Sequence, residues 1–217
     1  MDIEKILAAC EHTLLKQTAA WDDIRQVCDD AMEYKTAGIC IPPCFVSPAR
    51  DYVRDGVMIA TVIGFPNGNC TTSTKAFEAE DAIKNGADEI DMVVNIGMLK
   101  HGHPGNVTDE IRAVKEVCGE HPLKVIIETC MLTDEEKIRA CEIVNESGAD
   151  YIKTSTGFGG GGATYHDVKL IAQHIDSDVK IKASGGISTL VDAQKFLDLG
   201  VKRLGTSRLI SLVKGIS

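Results

Sequence analysis

Aromatic side chains are scarce in this chain: they fill 5% of 217 positions, with a single tryptophan. The 44% of hydrophobic residues is therefore mostly aliphatic, the stock of buried strands and amphipathic helices. Basic residues are the minority, 23 Lys and Arg against 32 Asp and Glu, for a formal charge of −9. A field of that sign repels polyanions, which argues against nucleic acid or an anionic membrane as the main partner. An anionic small ligand has to be held locally. No run reaches the roughly 18 consecutive apolar residues of a membrane helix, and no basic flank precedes an apolar stretch at the N-terminus. The expectation is a soluble, cytoplasmic chain. Cys-x-x-Cys pairs are also missing, although there are eight cysteines: Cys10, Cys28, Cys40, Cys44, Cys70, Cys118, Cys130 and Cys141. Their irregular spacing points to a reducing compartment and to thiols used mostly as small core hydrophobes. Cys40 and Cys44 lack the second ligand pair of a zinc site.

What is present is alternation. Short β-branched apolar runs take turns with longer amphipathic ones along the whole chain, the pattern of parallel strands joined by crossover helices. Strands are predicted at 12–16, 38–41, 57–63, 89–94, 123–128, 151–154, 179–183 and 203–205. Helices are predicted at 73–85, 108–118, 133–147 and 164–174, and a short extra one at 1–10 packs on the barrel. Thr133, Asp134, Glu135 and Glu136 read as a helix cap with acid in the first turn, while Gly86, Gly148 and Gly200 mark helix ends. Eight units in 217 residues average about 27 each, near the lower size limit of a (β/α)8 TIM barrel. An open doubly wound sheet is the rival. The absence of a second domain and the polar residues late in many strands favour a single barrel domain over 1–217, since a barrel gathers its strand ends at one mouth.

Three ionisable residues close otherwise apolar strands: Asp91, Lys153 and Lys182. A lone strand-end lysine can snorkel to solvent or pair with a carboxylate. Two on consecutive strands, about 4.8 Å apart, put ammonium groups close together and call for a reason. Imine formation supplies one, because a lysine attacks a carbonyl only as the free amine. At an unperturbed pKa of about 10.4, roughly 0.04% of a lysine is free at pH 7, and moving it to about 7 needs about 4.6 kcal/mol. A second ammonium at about 5 Å supplies about 3 kcal/mol at an effective dielectric of 20, with desolvation providing the rest. Spacing does not decide which lysine is the nucleophile. Asp91, on a strand elsewhere around the barrel, can relay protons through water. Lys180 shares the parity of Lys182 one layer deeper, where it either meets a carboxylate near the floor or precedes the strand.

A second signal is anion binding. Ser184-Gly185-Gly186-Ile187-Ser188 and Gly205-Thr206-Ser207 follow the last two strands, where barrels commonly hold a phosphate on backbone N–H groups. The stretch Gly157-Phe158-Gly159-Gly160-Gly161-Gly162 fits the dinucleotide pattern formally, but the next strand ends in Lys182-Ala183-Ser184 instead of a ribose-binding acid. A substrate-covering rim loop is the better reading. His101 and His103 lack a placed third ligand, so no metal is expected.

In order and wording these motifs resemble the deoxyribose-phosphate aldolases, class I aldolases of the barrel fold. The resemblance is carried by His12-Thr13-Leu14-Leu15-Lys16, Val62-Ile63-Gly64-Phe65-Pro66-Asn67-Gly68, Glu128-Thr129, Ile152-Lys153-Thr154-Ser155-Thr156-Gly157-Phe158, Lys182-Ala183-Ser184-Gly185-Gly186-Ile187 and Arg203-Leu204-Gly205-Thr206-Ser207. It implies reversible cleavage of 2-deoxy-D-ribose 5-phosphate to D-glyceraldehyde 3-phosphate and acetaldehyde, without metal or organic cofactor, in a homodimer. By position it makes Lys153 the Schiff-base lysine, Lys182 the neighbour that lowers its pKa, and Asp91 the proton-relay acid. Gly185, Gly186, Gly205 and Ser207 are implied to bind phosphate, with Thr156 near the sugar hydroxyls and Cys40 lining the pocket. Two positions depart from the family pattern: Glu11, where Asp is usual, and Arg208, where a second Ser often stands. Neither is expected to touch the lysine pair, and Arg208 can add charge to the phosphate site. A metal-dependent aldolase or isomerase on the same fold, and a catalytically silent phosphosugar-binding barrel, are the alternatives.

Overall fold

The structure is a computed structural model that describes residues 2–215. Position 1 of the expected N-terminal helix and positions 216 and 217 of the expected domain lie outside the described residues. Eight strands form a closed parallel barrel in chain order. They are β1 (Cys10–Thr13), β2 (Gly38–Ile41), β3 (Ile59–Ile63), β4 (Glu89–Val93), β5 (Leu123–Ile126), β6 (Tyr151–Lys153), β7 (Lys180–Ser184) and β8 (Arg203–Thr206). The helices are α1 (Ile3–Ala8), α2 (Trp21–Glu33), α3 (Val46–Val53), α4 (Thr72–Lys84), α5 (Ile96–Lys100), α6 (Pro104–Cys118), α7 (Asp134–Ser147), α8 (Tyr165–His174), α9 (Leu190–Asp198) and α10 (Leu209–Lys214). Closure rules out the open sheet.

Period-two alternation sorts each strand into two faces. Ile39, Ile59, Ile90, Val125, Ile152 and Leu204 point outward and join the helices in one continuous apolar core. The inward face differs from side to side: Cys40, Ala60 and Val62 make a small apolar cluster, while β4 to β7 turn charged side chains inward. Helix ends follow the sequence signals. Thr133 and Glu136 form a reciprocal capping box at α7, and Gly148 ends that helix in the left-handed conformation at φ 80°. Burial pushes the thiols of Cys28 and Cys118 up to about 11 and those of Cys10 and Cys141 to about 12, so these stay protonated core groups.

Several boundaries move. The first strand lies at Cys10–Thr13 and not at 12–16, and the N-terminal helix is shorter than 1–10 because Cys10 already belongs to the sheet. A glutamate at its second position hides this strand from an alternation count. Strand β5 stops at Ile126, before Glu128 turns to φ 52°. Helix α6 starts at Pro104, since proline suits a first helical turn, and β7 and β8 each run one residue further than expected. Lys180 opens β7 at the barrel floor, exposed, with its ammonium 5.3 Å from the centre of the Tyr151 ring in place of a carboxylate.

Candidate active site

Asp91 on β4 is the hub of the polar interior. Its Oδ2 accepts from Lys153 and from Lys182, each at 2.7 Å, and its Oδ1 accepts from Lys124 of β5 at 2.8 Å. Lys153 and Lys182 stand opposite each other in the β6–β7 ladder. Lys182 also donates to Glu11 of β1, and Lys124 lies 2.7 Å from Glu89 Oε2. All of these side chains are buried, Lys153 alone among the three lysines reaching 3% exposure.

Charge decides how such a cluster survives without water. Burial works to raise the Asp91 carboxyl, but Lys124, Lys153 and Lys182 outweigh it and hold the group well below the usual carboxylate range. Glu11 is likewise lowered on balance, by Lys124 and Lys182 against burial. For Lys182, burial works to lower its pKa, yet Asp91 and Glu11 prevail and raise it above an ordinary lysine. Lys124 is raised in the same way against burial, by Asp91, Glu11 and Glu89. Two of the three lysines are thus fixed as ammonium ions.

Above the cluster opens a cavity of about 440 Å³. It is lined by Lys153 and Thr156, by Gly185 and Gly186 of the loop after β7, by Gly205 of β8 and by Ser207 just beyond that strand. Gly185 and Gly186 have φ of 70° and 72°, which bends the loop as a side-chain-bearing residue seldom does. Lys16 and Arg208 line the same cavity and bring positive charge to it. The arrangement has two parts: an amine beside an ionised carboxylate, and a glycine-rich, cationic recess for an anion.

Known proteins share much of this sequence and this fold. The sequence model of the DeoC/LacD family aldolases matches residues 6–207. The chain belongs to the DeoC/LacD aldolase family. A deoxyribose-phosphate aldolase of Streptococcus agalactiae is 55% identical over 214 residues, covering 99% of this chain and 96% of that one. One from Streptococcus pyogenes has the same identity and coverage. Among solved structures, one described as an aldolase superposes with a TM-score of 0.92 at 35% identity, covering all of this chain and 96% of the other. The deoxyribose phosphate aldolase of Aeropyrum pernix, described as having a unique tetrameric structure, gives 0.91 at 27% identity, covering 100% and 94%.

Within this DeoC/LacD aldolase, Asp91, Lys153 and Lys182 are in direct contact, with Lys153 of the three reaching the cavity, and Thr156, Gly185, Gly186, Gly205 and Ser207 line its walls. Asp91 sits on another strand, as expected, but meets the lysines with no water between: its carboxylate bridges them directly, because β4 to β7 curve around one small interior. Glu11 also departs from expectation. It touches Lys182, since β1 begins early enough to put Glu11 in the barrel wall facing inward. Cys40 does not line the cavity. It is fully buried beneath it against Ala60 and Val62, where burial raises its thiol pKa. Glu11, Cys40 and Asp91 bring metal-ligating atoms within 4.8 Å of one another, but the Lys182 ammonium already bonds to both carboxylates. His101 and His103 lie ring to ring, centroids 5.1 Å apart, and among the described residues neither joins a group of three metal-ligating side chains. The glycine stretch forms the mouth loop between β6 and α8. A Cβ on Gly162 would lie 2.6 Å from the Gly186 nitrogen, so close backbone packing accounts for that glycine.

Lys124 went unnoticed in the sequence. Its signal was a third lysine inside an apolar strand, Leu123-Lys124-Val125-Ile126, one that pairs in register with Asp91.

Proposed function

We propose that this chain catalyses the reversible cleavage of 2-deoxy-D-ribose 5-phosphate to D-glyceraldehyde 3-phosphate and acetaldehyde. Lys153 attacks the aldehyde carbon of the open-chain sugar and, with loss of water, forms an iminium. The iminium withdraws the electrons of the C2–C3 bond as the C3 hydroxyl gives up its proton. Glyceraldehyde phosphate leaves and an enamine remains. Protonation of the enamine carbon and hydrolysis return acetaldehyde and the free lysine. Asp91, within hydrogen-bond reach of Lys153, relays these protons. The observation that carries the reading is the shared Asp91 oxygen: it holds Lys182 as an ammonium beside Lys153 at the base of an anion recess. Charge balance supports the assignment. With Lys153 as the free amine, the cluster holds Glu11, Glu89 and Asp91 against Lys124, Lys182 and Arg203, which lies 3.2 Å from Glu89.

Gly185, Gly186, Gly205 and Ser207 take the phosphate, with charge added by Arg208. Borohydride added with acetaldehyde is expected to inactivate the protein and leave an ethyl group on Lys153, read by peptide mass spectrometry. No adduct, or one confined to Lys182, overturns the assignment. Coupled detection of released aldehyde from the deoxy sugar phosphate separates an enzyme from a silent binding barrel, and activity surviving EDTA separates it from a metal-dependent one. The reading also takes the chain as one barrel domain over 1–217, working as a cytoplasmic homodimer, on the strength of the family resemblance. Sedimentation tests the assembly; a tetramer, as described for the Aeropyrum pernix relative, overturns that part.

A further inference from the structure

Glu128 belongs neither to the buried charge cluster nor to the steps above, yet its placement is unusual. It follows β5 at φ 52° and ψ 66°, a left-handed conformation that residues with a Cβ seldom adopt. Its carboxylate is buried; the Cys130 thiol lies 3.9 Å from one oxygen, and both oxygens bond to Thr156. One oxygen accepts from the backbone N–H of Thr156 at 3.1 Å, and the other accepts from the Thr156 hydroxyl. The mouth loop wraps it so closely that a Cβ on Gly159 would lie 2.8 Å from the Glu128 carboxyl carbon.

The polarity of Thr156 follows from this. A threonine hydroxyl has one proton and two lone pairs. The proton goes to Glu128, and one lone pair accepts from the Phe158 N–H at 3.0 Å. A single lone pair is left for the cavity that Thr156 shares with Lys153. Both Glu128 oxygens accept from Thr156, so the hydroxyl cannot turn its own proton inward without abandoning Glu128.

We propose that Glu128 is a positioning residue: through Thr156 it presents the bound sugar with an acceptor only, so that a substrate hydroxyl must donate there. The inference rests on the aldolase reading and adds a group that selects hydroxylated substrates.

The test is Glu128→Gln in the full-length enzyme. The amide keeps the shape and both contacts, with its oxygen on the Thr156 N–H and its NH2 on the Thr156 oxygen. The Thr156 proton then points into the cavity. Two reactions are compared: cleavage of the deoxy sugar phosphate, and exchange of solvent deuterium into the methyl group of acetaldehyde, which passes through the enamine with no sugar hydroxyl present. Expected is a drop of about tenfold in kcat/KM for cleavage, the scale of one mispaired hydrogen bond in a closed site, with exchange unchanged. Thr156→Val, made in parallel, is expected to impair cleavage by a similar factor and spare exchange, with little further loss on adding Glu128→Gln. Unchanged cleavage in Glu128→Gln overturns the proposal, because it is the result of a purely structural clamp. An equal loss in both reactions overturns it as well, since Glu128 would then be supporting Lys153. Absence of exchange in the unaltered protein overturns the aldolase reading itself.

Discussion

Lys153 and Lys182 face each other across the β6–β7 ladder and donate to one and the same oxygen, Oδ2 of Asp91, over 2.7 Å each. Their nitrogens are therefore no more than twice that distance, 5.4 Å, apart. The closeness is held by one carboxylate oxygen that accepts from both side-chain nitrogens. Lys182 has a second carboxylate, Glu11, on its far side, whereas Lys153 is the lysine of the pair that lines the cavity.

Replacing Lys182 by Leu removes the cation shared by Asp91 and Glu11. Turnover is expected to fall at least about 10²-fold, the scale of a lost proton-transfer or charge partner. The protein is also expected to lose about 3–5 kcal/mol, because a buried ion-pair network broken on one side leaves charge uncompensated. Coupled aldehyde detection and urea unfolding measure the two effects. Turnover within a few-fold of the starting protein would contradict the role given to Lys182.

Stability should depend on pH at both extremes, with opposite signs. Asp91 and Glu11 are held below ordinary carboxylates, so their contribution is present above the unfolded carboxylate range and is lost as pH falls through the folded values. Lys124 and Lys182 are raised, so theirs is complete below the pKa of an unfolded lysine, about 10.4, and is lost as pH rises through the folded values. Urea midpoints measured from about pH 3 to about pH 11 should show a plateau between two falling limbs. Asp91→Asn should flatten the acid limb; an unchanged limb would remove Asp91 as its source.

Gly205 is expected to tolerate no side chain. A Cβ there meets the Ser184 hydroxyl and lies 3.2 Å from Lys182 Cε, so Gly205→Ala pushes on the lysine as well as on the anion recess. Activity should drop about tenfold or more, since displacements of about 1 Å at a catalytic group are that costly. Gly148→Ala is the control: nothing lies within 4 Å of a Cβ there, and its φ of 80° costs stability only, about 1 kcal/mol. Equal activity in the two variants would show that Gly205 is not holding the site open.

The alternation of strands and helices, the capping box at Thr133, the glycine helix ends and the three residues Asp91, Lys153 and Lys182 were all legible in one dimension. Each depends on local spacing or on a residue type that is rare inside an apolar strand. Less visible was Lys75, which sits in the first turn of α4 like a solvated lysine but is fully buried, bonded at 2.8 Å to both Glu110 of α6 and the Val93 carbonyl. Its partners lie 18 and 35 residues away. No periodicity reports a pairing of that kind.

Local order of residues settled which segments become strands, which become helices, and which strand ends carry amines and glycines, because backbone propensity and side-chain periodicity act over a few residues. Barrel closure decided the rest. It brought Glu11 and Lys124 from β1 and β5 into contact with Asp91 and the lysine pair, sealed Cys40 beneath the cavity, and set Glu128 against Thr156. Electrostatic neutrality and hydrogen-bond satisfaction in a dry interior are properties of groups from many strands at once, and they exist only when those strands meet.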